Sequence, residues 1–158
     1  MRISIVTISD SVAAGQREDG SGKALERRCR EAGWEVISTS IVADEESQIR
    51  SQLTILADSG KLDVILTTGG TGLGPRDVTP EATASVVTRQ VPGLAERMRQ
   101  VGYEKTPNAV LSRSIAGIRG STLIVNLPGS PRGALESFDA IASLIPHAIS
   151  VLHGARHD

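Results

Sequence analysis

The sequence has only one cysteine and three aromatic residues among its 158 residues. Cys29 alone cannot form an intrachain disulfide or a cluster of thiolate metal ligands, and a chain without disulfides suits the reducing cytoplasm. Because the aromatic side chains are limited to Trp34, Tyr103 and Phe138, the core must rely on aliphatic packing. These absences exclude a disulfide scaffold and a cysteine-rich metal site.

Excess charge and long apolar runs are also lacking. The chain has 17 Lys and Arg against 18 Asp and Glu, which argues against a nucleic-acid-binding protein that works by neutralising phosphates but leaves room for a local basic pocket. No segment approaches the roughly 18 consecutive apolar residues of a membrane span. The first strand-like run reaches Asp10 without the apolar stretch of a signal peptide. We expect a cytoplasmic domain, residues 1–158, that binds neither membrane nor nucleic acid.

Three common catalytic or nucleotide-binding motifs are missing. A Walker phosphate loop fails because Ala24 follows Gly22 and Lys23, and Arg17 occupies the position of the first glycine. The segment 70–75 lacks the last glycine of a dinucleotide-binding fingerprint. The chain also has no Gly-x-Ser-x-Gly elbow, so a serine hydrolase is not expected.

Short apolar runs alternate with amphipathic segments along the chain. Strands are predicted at 3–8, 34–42, 62–66, 114–118 and 122–127, and helices at 23–32, 44–60, 80–87, 92–100, 132–144 and after Pro146. This alternation predicts an α/β sandwich with a mostly parallel sheet. The last two strands, joined at Arg119 and Gly120, suggest an antiparallel edge.

Four polar loops begin where predicted strands end. They are residues 9–22, 43–46, 67–77 and 126–132. In open α/β sheets, ligands bind beyond the carboxyl ends of the strands. We therefore expect these loops to converge on the ligand site.

The residues in these loops allow two interpretations each. The glycine-threonine run 67–72 could cradle a phosphate with its backbone amides, or simply form a tight strand-to-helix turn. Asp44 and Asp77 could bind Mg²⁺ or a polar ring nitrogen, or cap the helices that follow them. Ser130 could present helix amides to an anion, or act only as a helix cap.

Taken together, the motifs resemble the molybdopterin-binding domain family. The similar segments are 67–72, 75–83, 92–94, 111–114, 116–120 and 126–131, with 9–10 and 19–22 upstream. The resemblance covers essentially the whole chain. Within the family, the sequence is similar to the stand-alone MogA/MoaB type and to the corresponding G domains of plants and animals.

This resemblance implies a three-layer α/β/α sandwich, commonly trimeric, that adenylylates molybdopterin. In such proteins the molybdopterin phosphate attacks the α-phosphate of ATP, pyrophosphate leaves, and Mg²⁺ is required. Phosphoryl-type transfer needs positioning and charge neutralisation rather than a covalent nucleophile, which suits loops of this composition. The resemblance gives this chain no molybdate-insertion domain, so we expect a handover to a separate insertion protein.

The resemblance also assigns the site residues by motif position. Asp44 and Asp77 correspond to functionally important acids and are the expected catalytic and Mg²⁺-binding residues. The glycine-threonine loop would hold phosphate or pterin, and Ser112 and Asn126 would donate hydrogen bonds. The full set of expected substrate contacts is Asp10, Thr68, Gly69, Gly70, Thr71, Gly72, Ser112, Asn126, Gly129 and Ser130.

Two other functions remain open at this point. A MoaB-type binding protein would hold or deliver the pterin without adenylylating it, although the presence of both acids favours the enzyme. A structural assembly protein would need neither the acids nor the phosphate-like loops. For the expected homo-oligomer, Leu94, Met98 and Val101 in the segment 91–103 could form the contact patch, or could pack on their own sheet.

Overall fold

The computed structural model describes residues 1–156, in which six strands form one sheet; His157 and Asp158 lie outside the described residues. The strands are β1 (Arg2–Ile8), β2 (Glu35–Val42), β3 (Val64–Thr68), β4 (Arg89–Gln90), β5 (Ala116–Arg119) and β6 (Thr122–Leu127). The helices are α1 (Asp10–Ala13), α2 (Gly20–Glu31), α3 (Glu46–Asp58), α4 (Thr79–Val86), α5 (Pro92–Lys105), α6 (Pro131–Ile141) and α7 (Ile145–Leu152), with a 3₁₀ helix at Pro107–Leu111.

The sheet is parallel through its centre and antiparallel at one edge. Its strand order is β2-β1-β3-β6-β5-β4, in which β2, β1, β3 and β6 are parallel. The hairpin of β5 and β6 is antiparallel and turns at Gly120, whose φ of 57° suits glycine. The carboxyl ends of the four parallel strands therefore meet along one rim, as the sequence predicted.

Helices cover both faces of the sheet. On one face, Ile3, Ile5 and Leu66 pack against apolar side chains of α2, α5, α6 and α7. On the other, Val6 and Ile65 pack against α3 and α4. Because alternate strand residues point to opposite faces, each central strand contributes to both clusters. The predicted three-layer α/β/α sandwich is confirmed.

Aliphatic side chains fill nearly all of this core, as the scarcity of aromatics predicted. Phe138 is the one aromatic residue that is fully buried in the described chain, and Trp34 packs edge-on against it with ring centroids 5.1 Å apart. Burial raises the pKa of the Cys29 thiol to about 12. Cys29 is therefore an unreactive core side chain.

Several predicted element boundaries were wrong. The loop expected from Ser9 to Gly22 contains α1, and α2 begins at Gly20 rather than at Lys23. Glycines are poor helix formers, but the Asp19 carboxylate caps α2 by accepting from the Gly22 amide at 2.8 Å. The short strand β4 and the 3₁₀ helix were not predicted, because segments of two and five residues carry too little periodicity.

The proposed contact patch on α5 is mostly part of the core. Leu94 and Met98 are buried in the core cluster, so for these two residues the alternative that they pack within their own domain is confirmed, whereas Val101 is half-buried. Tyr103, on the same helix, is 58% exposed. No single helix in residues 1–156 has the length and apolar character of a membrane span; only α6 and α7 taken together, with a 60° bend between them, satisfy that test.

Candidate active site

The four polar loops converge, as predicted, on a cavity of about 510 Å³ at the carboxyl ends of the parallel strands. We call this cavity the carboxylate lobe. It is lined by Thr7, Ile8, Ser9, Val12, Arg17, Glu18, Asp19, Gly20, Ser21, Asp44, Thr68, Gly69, Gly70, Asp77, Gly129, Ser130 and Pro131. Four carboxylates and a single guanidinium, that of Arg17, stand among these lining residues. A polyphosphate would therefore need an added cation to enter.

The glycine loop bends back sharply after β3. Gly69 and Gly70 both have positive φ values, 107° and 68°, which L-residues with side chains rarely adopt. A Cβ on Gly69 would overlap the Ile8 carbonyl oxygen, and one on Gly70 would overlap the Thr79 hydroxyl. The two glycines therefore let the loop pack directly against β1 and α4. This close backbone approach keeps Gly69 and Gly70 at the cavity wall.

Thr68 and Thr79 fix the two ends of this turn. The Thr68 hydroxyl donates to the Pro128 carbonyl at 2.7 Å, which ties the glycine loop to the loop after β6. The Thr79 hydroxyl donates to the Gly69 carbonyl at 2.9 Å from the first turn of α4. Both side chains are fully buried, so the turn is held rigidly at each end.

Asp44 lies just beyond β2 and pairs reciprocally with Asp10. The Asp10 amide donates to Asp44 Oδ2 at 2.8 Å, and the Asp44 amide donates to Asp10 Oδ1 at 3.0 Å. The alternative that Asp44 caps the helix that follows it is wrong, because Glu45 is the N-cap residue of α3 and makes no side-chain capping bond. Asp44 is instead a carboxylate of the cavity wall.

The electrostatic environment of Asp44 disfavours its charge. Burial raises the pKa of the Asp44 carboxyl, and the negative charges of Asp10 and Asp77 raise it further, against the lowering effects of the Asp10 amide and Arg76. Asp44 and Asp77 are therefore close enough to repel each other. A cation bound between them would relieve that repulsion.

Asp77 closes the end of the glycine loop. Its Oδ2 accepts from the Gly74 amide at 2.8 Å, and its own amide donates to the Gly74 carbonyl at 3.0 Å. The alternative that Asp77 caps α4 is also wrong, because Val78 is the N-cap residue and no side-chain capping bond is made. The local turn holds the Asp77 carboxylate at the wall of the carboxylate lobe.

Asp10 does not line the cavity itself. Arg76 donates to both of its carboxylate oxygens, at 3.0 and 3.1 Å, and also to Glu45 at 2.8 Å. The hydrogen bonds from Arg76 and from the Asp44 amide hold the pKa of Asp10 below its usual value. The structure thus makes Asp10 a support for Asp44 rather than a direct contact to the cavity.

A second cavity, of about 430 Å³, borders the glycine loop at Thr71 and Gly72. We call it the apolar lobe. Leu73, Met98, Ala109 and Leu111 supply much of its wall. Gly72 also lines it, and the polar residues of its wall include Thr71, Arg99, Ser112, Ser114, Ser130 and Glu136.

Ser112 and Ser130 have different positions relative to the two lobes. Ser112 lines the apolar lobe, and its hydroxyl donates to Ser114 Oγ at 3.0 Å. Ser130 lines both lobes and caps α6, accepting from the Gly133 amide at 3.0 Å. The capping interpretation of Ser130 is therefore confirmed. Its position also makes it the point where the two lobes meet.

The residues present fit a divalent oxygen-binding cation such as Mg²⁺. Asp44 and Asp77 offer hard oxygen donors without an ion pair to Lys or Arg among the described contacts. No group of three or more His, Cys, Asp or Glu side chains in residues 1–156 is arranged as a metal site. Mg²⁺ commonly binds through one or two carboxylates and the substrate phosphates, so two acids suffice.

The comparisons with known proteins agree with this geometry. The sequence profile of the family described as "Probable molybdopterin binding domain" matches residues 4–147. The chain belongs to this family. Molybdopterin adenylyltransferase of Helicobacter pylori J99 is 38% identical over 98% of this chain and 89% of its own length. That of Escherichia coli K12 is 39% identical over 94% and 80%, respectively.

Solved structures show the same fold. The molybdopterin biosynthesis enzyme MoaB of Thermus thermophilus superposes with a TM-score of 0.92, at 49% identity and 99% coverage of both chains. A tungsten cofactor synthesizing MoaB from Pyrococcus furiosus superposes with a TM-score of 0.87 at 30% identity, covering 96% of each chain. The resemblance read from the sequence motifs is confirmed.

Asn126 lies outside both lobes. It is fully buried at the end of β6. Its Nδ2 donates to the hydroxyls of Thr67 and Thr83 at 3.0 and 2.9 Å, and its Oδ1 accepts from the Ile115 amide at 3.3 Å. The expected hydrogen bond from Asn126 to substrate is thus replaced here by bonds that join β3, α4 and the segment before β5.

Replacing Asn126 with alanine is expected to destabilise the domain without changing nucleotide affinity. The substitution removes three side-chain hydrogen bonds, two of them buried, and leaves a cavity, which together cost about 2–3 kcal/mol. Thermal unfolding should show a Tm lower by roughly 5–10 °C. Gln48→Ala, which removes an exposed amide on α3, is the matched control. An unchanged Tm combined with weaker substrate binding would contradict this assignment.

Several lining residues of the carboxylate lobe were not among the predicted site residues, and Thr7, Arg17 and Asp19 are three of them. The Thr7 hydroxyl donates to Asp19 Oδ2 at 2.8 Å, so the end of β1 and the start of α2 share one hydrogen bond. Arg17 reaches the same wall from the loop between α1 and α2. The Asp-Gly-Ser-Gly run at 19–22 was a recognisable signal for a capped helix. Arg17 lies in the loop 9–22 that was expected to reach the site, but no local pattern singled out Arg17 or Thr7.

Proposed function

We propose that this chain is a molybdopterin adenylyltransferase, which transfers AMP from ATP to the terminal phosphate of molybdopterin. The observation that carries the proposal is the pair of lobes that meet at Ser130 and the glycine loop. One lobe is rich in carboxylates and the other is largely apolar. A reaction that joins a nucleotide to a pterin phosphate needs two such adjoining sites, with the reacting phosphates at the junction.

The carboxylate lobe suits the reacting phosphates. Gly69, Gly70 and Gly129 line it without side chains, so a phosphate can approach the backbone closely. The Ser130 hydroxyl lies beside them. We assign the three glycines and Ser130 to binding the transferred phosphoryl group, and we assign Thr68, whose buried hydroxyl already donates to the Pro128 carbonyl, to holding the loop in place. Asp10 holds Asp44 in place through the reciprocal amide bonds.

The apolar lobe suits a planar nitrogen heterocycle. Its aliphatic wall offers a surface on which such a ring can lie, while the hydroxyls of Thr71 and Ser112 offer polar contacts at its edge. Gly72 also lines this lobe, next to Thr71 on the loop. We assign Thr71, Gly72 and Ser112 to ring binding.

Asp44 and Asp77 are the residues that would hold Mg²⁺. When bound, the cation offsets phosphate charge that would otherwise be repelled by the two carboxylates. The protein orients the molybdopterin phosphate oxygen in line with the α-phosphorus of ATP. A new bond forms between that oxygen and the α-phosphorus. The bond between the α-phosphorus and the oxygen that bridges to the β-phosphate breaks, and the bridging oxygen leaves with pyrophosphate. The residues supply position and charge rather than a covalent intermediate.

The decisive experiment is incubation of the purified chain with molybdopterin and Mg-ATP, followed by mass detection of adenylylated molybdopterin and pyrophosphate. Parallel reactions contain EDTA, or α,β-methylene-ATP, whose carbon bridge cannot be cleaved. We expect product only in the complete reaction. Tight pterin binding without product would support the binding protein of the MoaB type instead. No binding of either substrate would overturn both functions.

We further propose that the chain acts in the cytoplasm as a homotrimer and passes its product to a molybdate-insertion protein. Light scattering at micromolar concentration is expected to give three times the chain mass of 16.6 kDa. Dilution into the nanomolar range and high salt are useful controls, because a specific assembly should persist in both. A strictly monomeric mass would contradict the proposal.

A further inference from the structure

Arg113 connects the loop that carries Asp77 to the rest of the domain. It follows the 3₁₀ helix and precedes β5, and its side chain is 35% exposed. Its Nε donates to the Gly72 carbonyl at 2.8 Å and its Nη2 donates to the Asp77 carbonyl at 2.6 Å. The remaining guanidinium nitrogen pairs with Glu81 at the start of α4. One side chain therefore spans both ends of the loop.

The backbone of Arg113 adds a further bond to the same loop. Its amide donates to the Thr71 carbonyl at 2.9 Å. Thr71 and Gly72 line the apolar lobe, whereas Asp77 lines the carboxylate lobe. Arg113 thus holds loop residues that belong to both lobes.

The segment 73–77 has few other attachments. Its internal bonds run between Gly74 and Asp77, so they shape the turn without fixing it to the domain. The ion pairs of Arg76 lie on the surface, with the Arg76 side chain 56% exposed, and such pairs are weak ties. The hydrogen bond from Arg113 to the Asp77 carbonyl is the partly buried anchor of this segment.

We propose that Arg113 is a positioning residue that places the Asp77 carboxylate for divalent-cation binding. The inference rests on the proposed function, in which Asp77 is a cation ligand. The anchored carbonyl carbon is bonded directly to the Cα that carries the carboxylate side chain. A shift of the peptide therefore moves the carboxylate with it, and catalytic ligands tolerate displacements of only about 0.5 Å.

A purely structural role for Arg113 makes a different prediction. In that case, any loss of its contacts would lower stability and leave cation binding unchanged. Glu81→Gln provides the matched control, because it removes the ion pair but leaves both carbonyl acceptors bonded to the guanidinium. Arg113→Met removes all the side-chain donors and keeps a similar length. Arg113→Lys retains the charge but cannot donate to two carbonyls in the same fork geometry.

The test measures Mn²⁺ binding by electron paramagnetic resonance, together with amide hydrogen exchange at Gly74 and Asp77. We expect Arg113→Met and Arg113→Lys to weaken Mn²⁺ binding at least tenfold and to accelerate exchange at both amides. Adenylyl transfer should fall about a hundredfold, as expected for a displacement near 1 Å. Glu81→Gln should keep Mn²⁺ affinity within twofold, whatever its effect on Tm.

The readouts separate this inference from the proposed function. If the unmodified chain binds Mn²⁺ but forms no adenylylated product, the enzymatic function fails while the comparison of variants still tests Arg113. The inference is overturned if Arg113→Lys binds Mn²⁺ as tightly as the unmodified chain with unchanged exchange. It is also overturned if Glu81→Gln and Arg113→Met weaken Mn²⁺ binding equally.

Discussion

Replacing Asp77 with asparagine is expected to reduce adenylyl transfer about a thousandfold while the domain remains folded, since a carboxylate that holds a cation at the reacting phosphates is worth several kcal/mol. The Asn oxygen can still accept from the Gly74 amide, so the local turn survives. The measurement is turnover with saturating ATP, combined with a thermal melt. Asp58→Asn is the matched control, because Asp58 pairs with Arg119 on the surface, outside both lobes.

The companion variant Asp44→Asn should lose activity to a similar extent, and its stability should be equal to or higher than that of the unmodified protein. Burial and the charges of Asp10 and Asp77 raise the pKa of Asp44 in the folded protein. A raised carboxyl pKa means that the ionised form opposes folding above that pKa, and the penalty disappears as pH falls below the unfolded value near 3.9. Asparagine keeps the acceptor for the Asp10 amide without the charge.

We therefore expect Asp44→Asn to have an equal or higher Tm than the unmodified, cation-free protein at pH 7. The difference should shrink as pH falls towards 4, because the native carboxyl then becomes neutral as well. A lower Tm at pH 7 would show that the carboxylate stabilises the fold and would contradict the functional assignment. Normal turnover in either Asp variant would contradict the two-acid cation site.

The second large effect is expected for Gly69→Ala. The added Cβ would overlap the backbone oxygen of Ile8, and a φ of 107° is unfavourable for any side chain. Because β1 is a central strand, its backbone cannot move aside without disrupting the sheet. We expect the free energy of unfolding to fall by at least 3–4 kcal/mol, which is the sum of backbone strain and overpacking. Urea unfolding and far-UV circular dichroism provide the measurement.

Gly120→Ala separates the two causes. Gly120 also has a positive φ, 57°, but its added Cβ would meet no atom within 4 Å. Its free energy of unfolding should therefore fall only by the conformational cost of the positive φ, about 1 kcal/mol. If the two variants were equally destabilised, the close packing of Gly69 against β1 would not be the reason for the glycine. Near-native stability of Gly69→Ala would contradict the turn geometry itself.

The architecture and the location of the site were predictable because they depend on local patterns. Alternating apolar runs and helical segments predicted the layered fold, and the rule that ligands bind beyond parallel strand ends placed all four loops correctly. The glycine run indicated a special turn because glycine is the residue that readily adopts a positive φ, and Gly69 and Gly70 both have one. Boundaries failed mainly at 9–22, where the Asp19 cap overcame the low helix propensity of Gly20 and Gly22.

The roles of individual polar residues depended on contacts between distant parts of the chain. Asp44 and Asp10 are 34 residues apart, Arg113 and Asp77 are 36 apart, and Asn126 and Thr67 are 59 apart. Local sequence could not distinguish a helix cap from a cavity carboxylate at Asp44, or a substrate donor from a buried hydrogen-bonding hub at Asn126. A short-range pattern specifies strands, helices and turns, because these form between neighbours. Hydrogen-bond partners and electrostatic environment are set only when the sheet brings its strand ends together.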